Sequence, residues 1–90
     1  MTHVLVLSPM DNVAVALAEL APGDVATWES GEVVVSDPIP AAHELAISPI
    51  ATGERIVKYG TAIGRATAPI GAGSHVHVHN VESDRMRGDR

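Results

Sequence analysis

His75-Val76-His77-Val78-His79-Asn80 sets three imidazoles at alternate positions in a chain otherwise rich in Val, Ala and Ile. Successive side chains of an extended strand point to opposite faces. His75, His77 and His79 are therefore expected on one face of a strand, with Val76 and Val78 on the other. Alternate residues lie about 6.5–7 Å apart at Cα, close enough for imidazoles to converge on one metal ion or one anionic substrate. Imidazole is the commonest protein metal ligand and changes charge near neutral pH. The same alternation also suits the solvated half of an amphipathic strand. A purification tag would be a contiguous His run, without the Val alternation seen here.

The elements that must position this segment read as short and extended. Val4-Leu5-Val6-Leu7 is an apolar run ended by Ser8-Pro9. Asp11 or Asn12 is a good N-cap for a helix over Val13–Leu20, since Val13, Leu17 and Leu20 fall at helical spacing. Pro22-Gly23-Asp24 stops it. Val25–Trp28 and Glu32–Val35 flank Ser30-Gly31 as a hairpin. Ala42–Ile47 is a further short strand. Arg55–Tyr59 alternates, with Ile56 and Lys58 sharing a face, and Gly60 breaks it. Ile63–Ala68 is weakly extended, and Pro69–Gly73 turns into the His segment. No linker, repeat or low-complexity segment is read. The expected fold is mainly β with one short helix. One domain is expected over residues 1–81, followed by a charged, disordered tail over residues 82–90.

Composition narrows the function. The 90 residues carry a net charge of −5, no Cys, no Phe, one Trp and one Tyr. A core built from Val, Ile, Leu and Ala in so short a chain calls for an oligomer or a partner chain. Without Cys there is no disulfide framework and no thiolate metal site. The negative balance argues against nucleic-acid binding. No run approaches the ~20 apolar residues of a membrane helix, and Met1-Thr2-His3 lacks a basic leader, so the cytoplasm is expected.

Four segments together carry a resemblance: Asp11-Asn12-Val13-Ala14-Val15-Ala16-Leu17, Gly53–Gly60 with its Lys58-Tyr59-Gly60, Ile63-Gly64-Arg65-Ala66, and Gly73–Asn80. In order and spacing over residues 3–81, the chain resembles the N-terminal SAF-type domain of the altronate/galactarate dehydratase family. The resemblance implies a β-clip (SAF-like) fold of folded-over hairpins and a lyase that removes water from sugar acids with a divalent metal, iron or manganese. It also implies a large dehydratase or lyase subunit on a separate chain, as in members split like (2R)-sulfolactate sulfo-lyase. The family commonly has Gly-His-Lys where this chain has Ala42-His43-Glu44; if that Lys holds an anionic substrate or the partner subunit, a different substrate or binding mode is expected here.

Such a lyase takes a C–H proton beside a carboxylate, which needs an electrophile on the carboxylate oxygens and a base with a pKa near working pH. A divalent metal supplies the electrophile. His75, His77 and His79 are the candidate metal ligands, and Lys58, His77 and His79 the candidate catalytic groups; spacing does not divide ligand from proton carrier. Lys58 fits a carboxylate clamp or base, and equally a side chain reaching solvent from a strand edge. Asp11, Asn12, His43 and Asn80 are candidate substrate-binding residues, Asp11 and Asn12 also serving as caps. A non-catalytic carbohydrate- or anion-binding or assembly module of the same fold is the alternative function.

Overall fold

The structure, a computed structural model, describes residues 1–83. It contains nine short strands and no helix among the described residues: β1 Thr2–Leu5, β2 Val13–Ala16, β3 Val25–Trp28, β4 Gly31–Val34, β5 Glu44–Ala46, β6 Arg55–Lys58, β7 Thr61–Ala66, β8 His75–Val76 and β9 Val81–Ser83. One sheet runs β4-β3-β1-β2-β5-β8 and a second runs β6-β7-β9. β1 and β3 are parallel; their neighbours pair antiparallel. This is the small all-β architecture of folded hairpins expected of a β-clip domain.

The scaffold is organised by a repeated turn that the sequence reading did not find. Leu20 bridges Ile39 and Ile50 bridges Ile70. Each of the four opens the same four-residue turn: Ala21–Asp24, Pro40–His43, Ala51–Glu54 and Gly71–Ser74. In each, the fourth N–H donates to the first carbonyl at 2.9–3.1 Å. The third residue has positive φ in every copy: Gly23 93°, Ala42 71°, Gly53 84° and Gly73 87°, the requirement of a type II turn. Each turn then clamps one buried residue, taking its N–H and carbonyl together at 2.7–3.0 Å; these residues are Val35, Ala16, Ala66 and Ala46. In two copies the fourth side chain also caps its own turn, Asp24 accepting from the Ala21 N–H and Glu54 from the Ala51 N–H.

Each bridge pair anchors its own apolar cluster. Leu20 and Ile39 pack with Val4, Val35 and Leu45; Ile50 and Ile70 pack with Val13, Ile56 and Val76. Burying each large aliphatic side chain contributes about 1.5–3 kcal/mol. β2 and β5 send residues to both clusters, so they join the two halves.

The helix expected after Asp11 is absent. Val13-Ala14-Val15-Ala16 pairs on one side with β1 and on the other with β5. With β-branched residues at alternate positions and two strand neighbours, the segment buries both faces as β2, and this tertiary pairing overrides a helical spacing of three residues. Leu17, one of those three, is 60% exposed. At the other end, Glu82 and Ser83, expected in the tail, belong to β9; the remainder of that segment lies outside the described residues. The β6–β7 hairpin turns through Tyr59 (φ 56°) and Gly60 (φ 76°), a type I′ pair. Gly64 lets β9 approach, since a Cβ there would stand 2.5 Å from the Glu82 carbonyl oxygen.

Candidate functional site

The imidazoles come together, but through a turn instead of a pleat. β8 is only His75–Val76, paired with β5 so that His75 faces Leu45 and Val76 faces Glu44. Beyond Val76 the chain bends back under Asn80. The Asn80 amide oxygen accepts from the His77 N–H at 2.9 Å, its NH2 donates to the His75 carbonyl at 2.9 Å, and its own N–H donates to the His77 carbonyl at 3.0 Å. Val78, expected on the same strand face as Val76, is 85% exposed at this turn while Val76 is buried. The alternation of types is real, but an Asx-type side chain three residues on captures the backbone and ends the strand.

His43 joins from the second of the repeated turns, directly before β5. Its Nδ1 lies 2.8 Å from His75 Nε2, one nitrogen donating and the other accepting. The His43 and His77 rings meet edge to face at 4.4 Å, His43 and His75 stack at 5.0 Å, and His79 lies 5.4 Å from His75. One nitrogen from each of His43, His75 and His77 falls within 4.8 Å of the others. The compact triad thus includes His43, expected as a substrate contact, and leaves His79, expected as a ligand, at its edge.

The donor set fits a divalent transition metal. Nitrogens bonded to one ion at about 2.0–2.1 Å lie within roughly 4 Å of one another, and the three here lie within 4.8 Å. Imidazole suits iron and zinc and is a poor partner for magnesium or calcium. Burial holds the His75 pKa below its ordinary value, reinforced by His77, His43 and His79 and opposed by Asp37. The neutral ring is the form that binds metal.

Beside the triad lies a groove of about 760 Å³ with His77 in its wall. Ile56, Val76 and Val81 give it apolar walls, and among the described residues it carries the ion pair of Lys58 Nζ with Glu44 at 3.3 Å, the two side chains 27% and 23% exposed. Ile56 and Lys58 share the groove face as their alternation predicts. The Lys58 ammonium also lies 5.3 Å from the centre of the Tyr59 ring.

The other expected residues have backbone duties. Asp11 accepts from the N–H groups of Leu7, Ser8 and Gly60. Asn12 donates to the Arg55 carbonyl and accepts from the Val57 N–H, both at 2.8 Å. These contacts tie the β1–β2 connection to the β6–β7 hairpin, in place of the helix cap expected. Asp11 lines a separate cavity of about 390 Å³ beside Trp28, not the groove that holds Lys58 and His77. Two contributors escaped the sequence reading. Glu44 was noted only as a departure from a motif, although its strand position opposite Val76 puts it at the groove. Asp37, which accepts from the His75 N–H at 2.9 Å, carries no local signal 38 residues away.

Comparison with known proteins agrees with this architecture. The family model for the altronate/galactarate dehydratase SAF domain matches residues 2–84. The altronate dehydratase of Escherichia coli (strain K12) is 43% identical over 75 residues, which cover 83% of this chain and 15% of that protein. The (2R)-sulfolactate sulfo-lyase subunit alpha of Chromohalobacter salexigens is 49% identical over 51 residues, 57% of this chain and 54% of that subunit. The altronate dehydratase of Bacillus subtilis (strain 168) is 36% identical over 74 residues, again 15% of its length. The chain thus spans about one-seventh of the altronate dehydratases it matches and about half of that sulfo-lyase subunit. Over nearly all its described length, it belongs to the altronate/galactarate dehydratase SAF domain family.

Proposed function

We propose that this chain is the small subunit of a metal-dependent hydroxy-acid lyase, a dehydratase of the altronate/galactarate type or a sulfo-lyase, whose active site is completed by a large subunit on a separate chain. The observation that carries the reading is the gathering of His43, His75 and His77 nitrogens within 4.8 Å, at a groove that also holds Lys58. His43, His75 and His77 hold a divalent iron or manganese ion. When bound, that ion supplies the electrophile for the substrate's carboxylate oxygens.

The chain's own groups act around it. His77, shared by triad and groove, orients the ligand. Lys58 supplies a hydrogen-bond donor for a substrate oxygen. His79, beside His75 and exposed, carries protons between the cluster and solvent. Asn80 holds the turn that carries His77 and His79, so its part is positioning.

Two measurements test the reading. Titration of the purified chain with manganese or ferrous ion under anaerobic conditions should give a one-to-one complex, weakened at least about tenfold in His75→Ala, since even residues that only support the ligands matter at that level. Mixing with the large subunit should then yield turnover of altronate, galactarate or sulfolactate; no gain with any of them removes the assignment. The alternative, a carbohydrate- or anion-binding or assembly module, is favoured by the apolar walls of the groove and by the backbone duties of Asp11, Asn12 and Asn80. Normal turnover of the assembled enzyme after the His43, His75 and His77 substitutions would select it.

A further inference from the structure

Lys58 is the lysine of the groove, and it is already engaged. Its ammonium donates to Glu44 at 3.3 Å in a groove whose walls set Ile56, Ile63, Val76 and Val81 beside the hydroxyl of Thr67 and a second carboxylate, Glu82. An ion pair and a lone ammonium select different ligands. A carboxylate or sulfonate oxygen only accepts hydrogen bonds; it satisfies Lys58 but then stands against the Glu44 carboxylate. A hydroxyl both donates and accepts, so it can take a hydrogen bond from Lys58 while giving one to Glu44, leaving the pair intact.

We infer that the Glu44–Lys58 pair makes this groove select a polyhydroxy monoacid, with a hydroxyl at the pair, over a ligand that brings a second anionic group there. Within the lyase reading, on which this rests for the nature of the ligand, the substrate is of the aldonate class; aldarates and sulfonated hydroxy acids, each a dianion at neutral pH, are disfavoured. Glu44 is then the specificity-determining residue. The groove is large enough for a six-carbon acid, small-molecule sites running from about 300 to 1,000 Å³. His77 lines the same groove, so the pair and one imidazole of the triad face the same ligand space.

Direct binding to the full chain tests this without requiring turnover. Calorimetry with altronate, galactarate and sulfolactate should show altronate at least about tenfold tighter than either dianion, the usual scale for one partly exposed unfavourable charge contact. Glu44→Gln should narrow that ratio by about tenfold, chiefly by improving the dianions, and Lys58→Met should weaken all three. Equal affinities, a preference for a dianion, an unchanged ratio in Glu44→Gln, or no binding of any of them would overturn the inference. The wild-type preference is read independently of how any variant folds. Failure of the two readings is separable: an assembled enzyme that turns over sulfolactate in preference to altronate keeps the lyase and removes the role of Glu44. The expected order of binding with no turnover keeps Glu44 and removes the lyase.

Discussion

Ala42 occupies a conformation that costs an L residue energy. Its φ of 71° is the third position of the turn that delivers His43, where the three other copies have Gly. Ala42→Gly should stabilise the chain by about 0.5–1 kcal/mol, the relief of left-handed strain less the added freedom of the unfolded chain. A rise in the urea midpoint at unchanged slope checks this. At His75 the lowered pKa has a stability consequence. Between its folded value and 6.5, the unfolded chain holds a proton that the folded chain does not. Stability of the metal-free protein therefore falls as pH drops from 6.5 through the folded value, then levels. His75→Asn should flatten that segment of a stability profile measured with chelator present; an unaltered slope would assign it to other groups.

At the scale of elements, the bend after Val76 is what turns an alternating sequence into a cluster. Asn80→Ala removes two side-chain hydrogen bonds to the backbone of residues 75 and 77. The expected cost is about 1–3 kcal/mol of stability, together with a loss of about 10- to 100-fold in manganese affinity, the scale at which supporting residues tune metal sites. Asn12→Ala, whose hydrogen bonds serve another hairpin, should lower stability and leave the affinity alone. The comparison of the two variants separates a positioned site from a general loss of order. Much of this was legible beforehand: the strand at Val25–Trp28 and its hairpin, whose turn falls one residue earlier than expected, at Glu29-Ser30, the strand at Arg55–Lys58, and the imidazoles as a group. Val13–Ala16 misled because a few apolar residues at helical spacing say little against two strand partners distant in sequence. The convergence of His43 on His75 depends on β5 pairing with β8, a contact across 32 residues that no local pattern encodes. The turn repeat did leave a trace, Pro38-Ile39, Pro49-Ile50 and Pro69-Ile70 each followed three residues later by Ala or Gly; it went unread because the copies share so few residue types.

Across the whole molecule, two small cores are joined by two strands. Ile39 and Ile50, each fully buried, belong to different clusters, and truncation of either to Ala should cost about 2–5 kcal/mol. Because β2 and β5 contribute to both, unfolding should remain one transition. Trp28 packs only against the first cluster, so its fluorescence in Ile50→Ala is a sensitive check. The Trp28 midpoint should move together with the far-ultraviolet circular dichroism midpoint. A Trp28 signal that stays at its original midpoint while the dichroism shifts would mean that the halves unfold separately. A thin aliphatic core also makes such losses large against a total stability of roughly 5–15 kcal/mol.

Among the four equivalent turns, the fourth side chain accepts from the first residue's N–H in two, at Asp24 and Glu54, and in a third Ser74 hydrogen-bonds the Ser36 hydroxyl. In the turn that ends at His43 the first residue is Pro40, whose ring nitrogen has no hydrogen to offer. Nothing in that turn asks residue 43 for an acceptor, so its side chain is at liberty to lean away toward His75. The proline has in effect emptied one seat in a fourfold framework, and chemistry could be installed, exchanged or erased there while the framework itself stays unaltered.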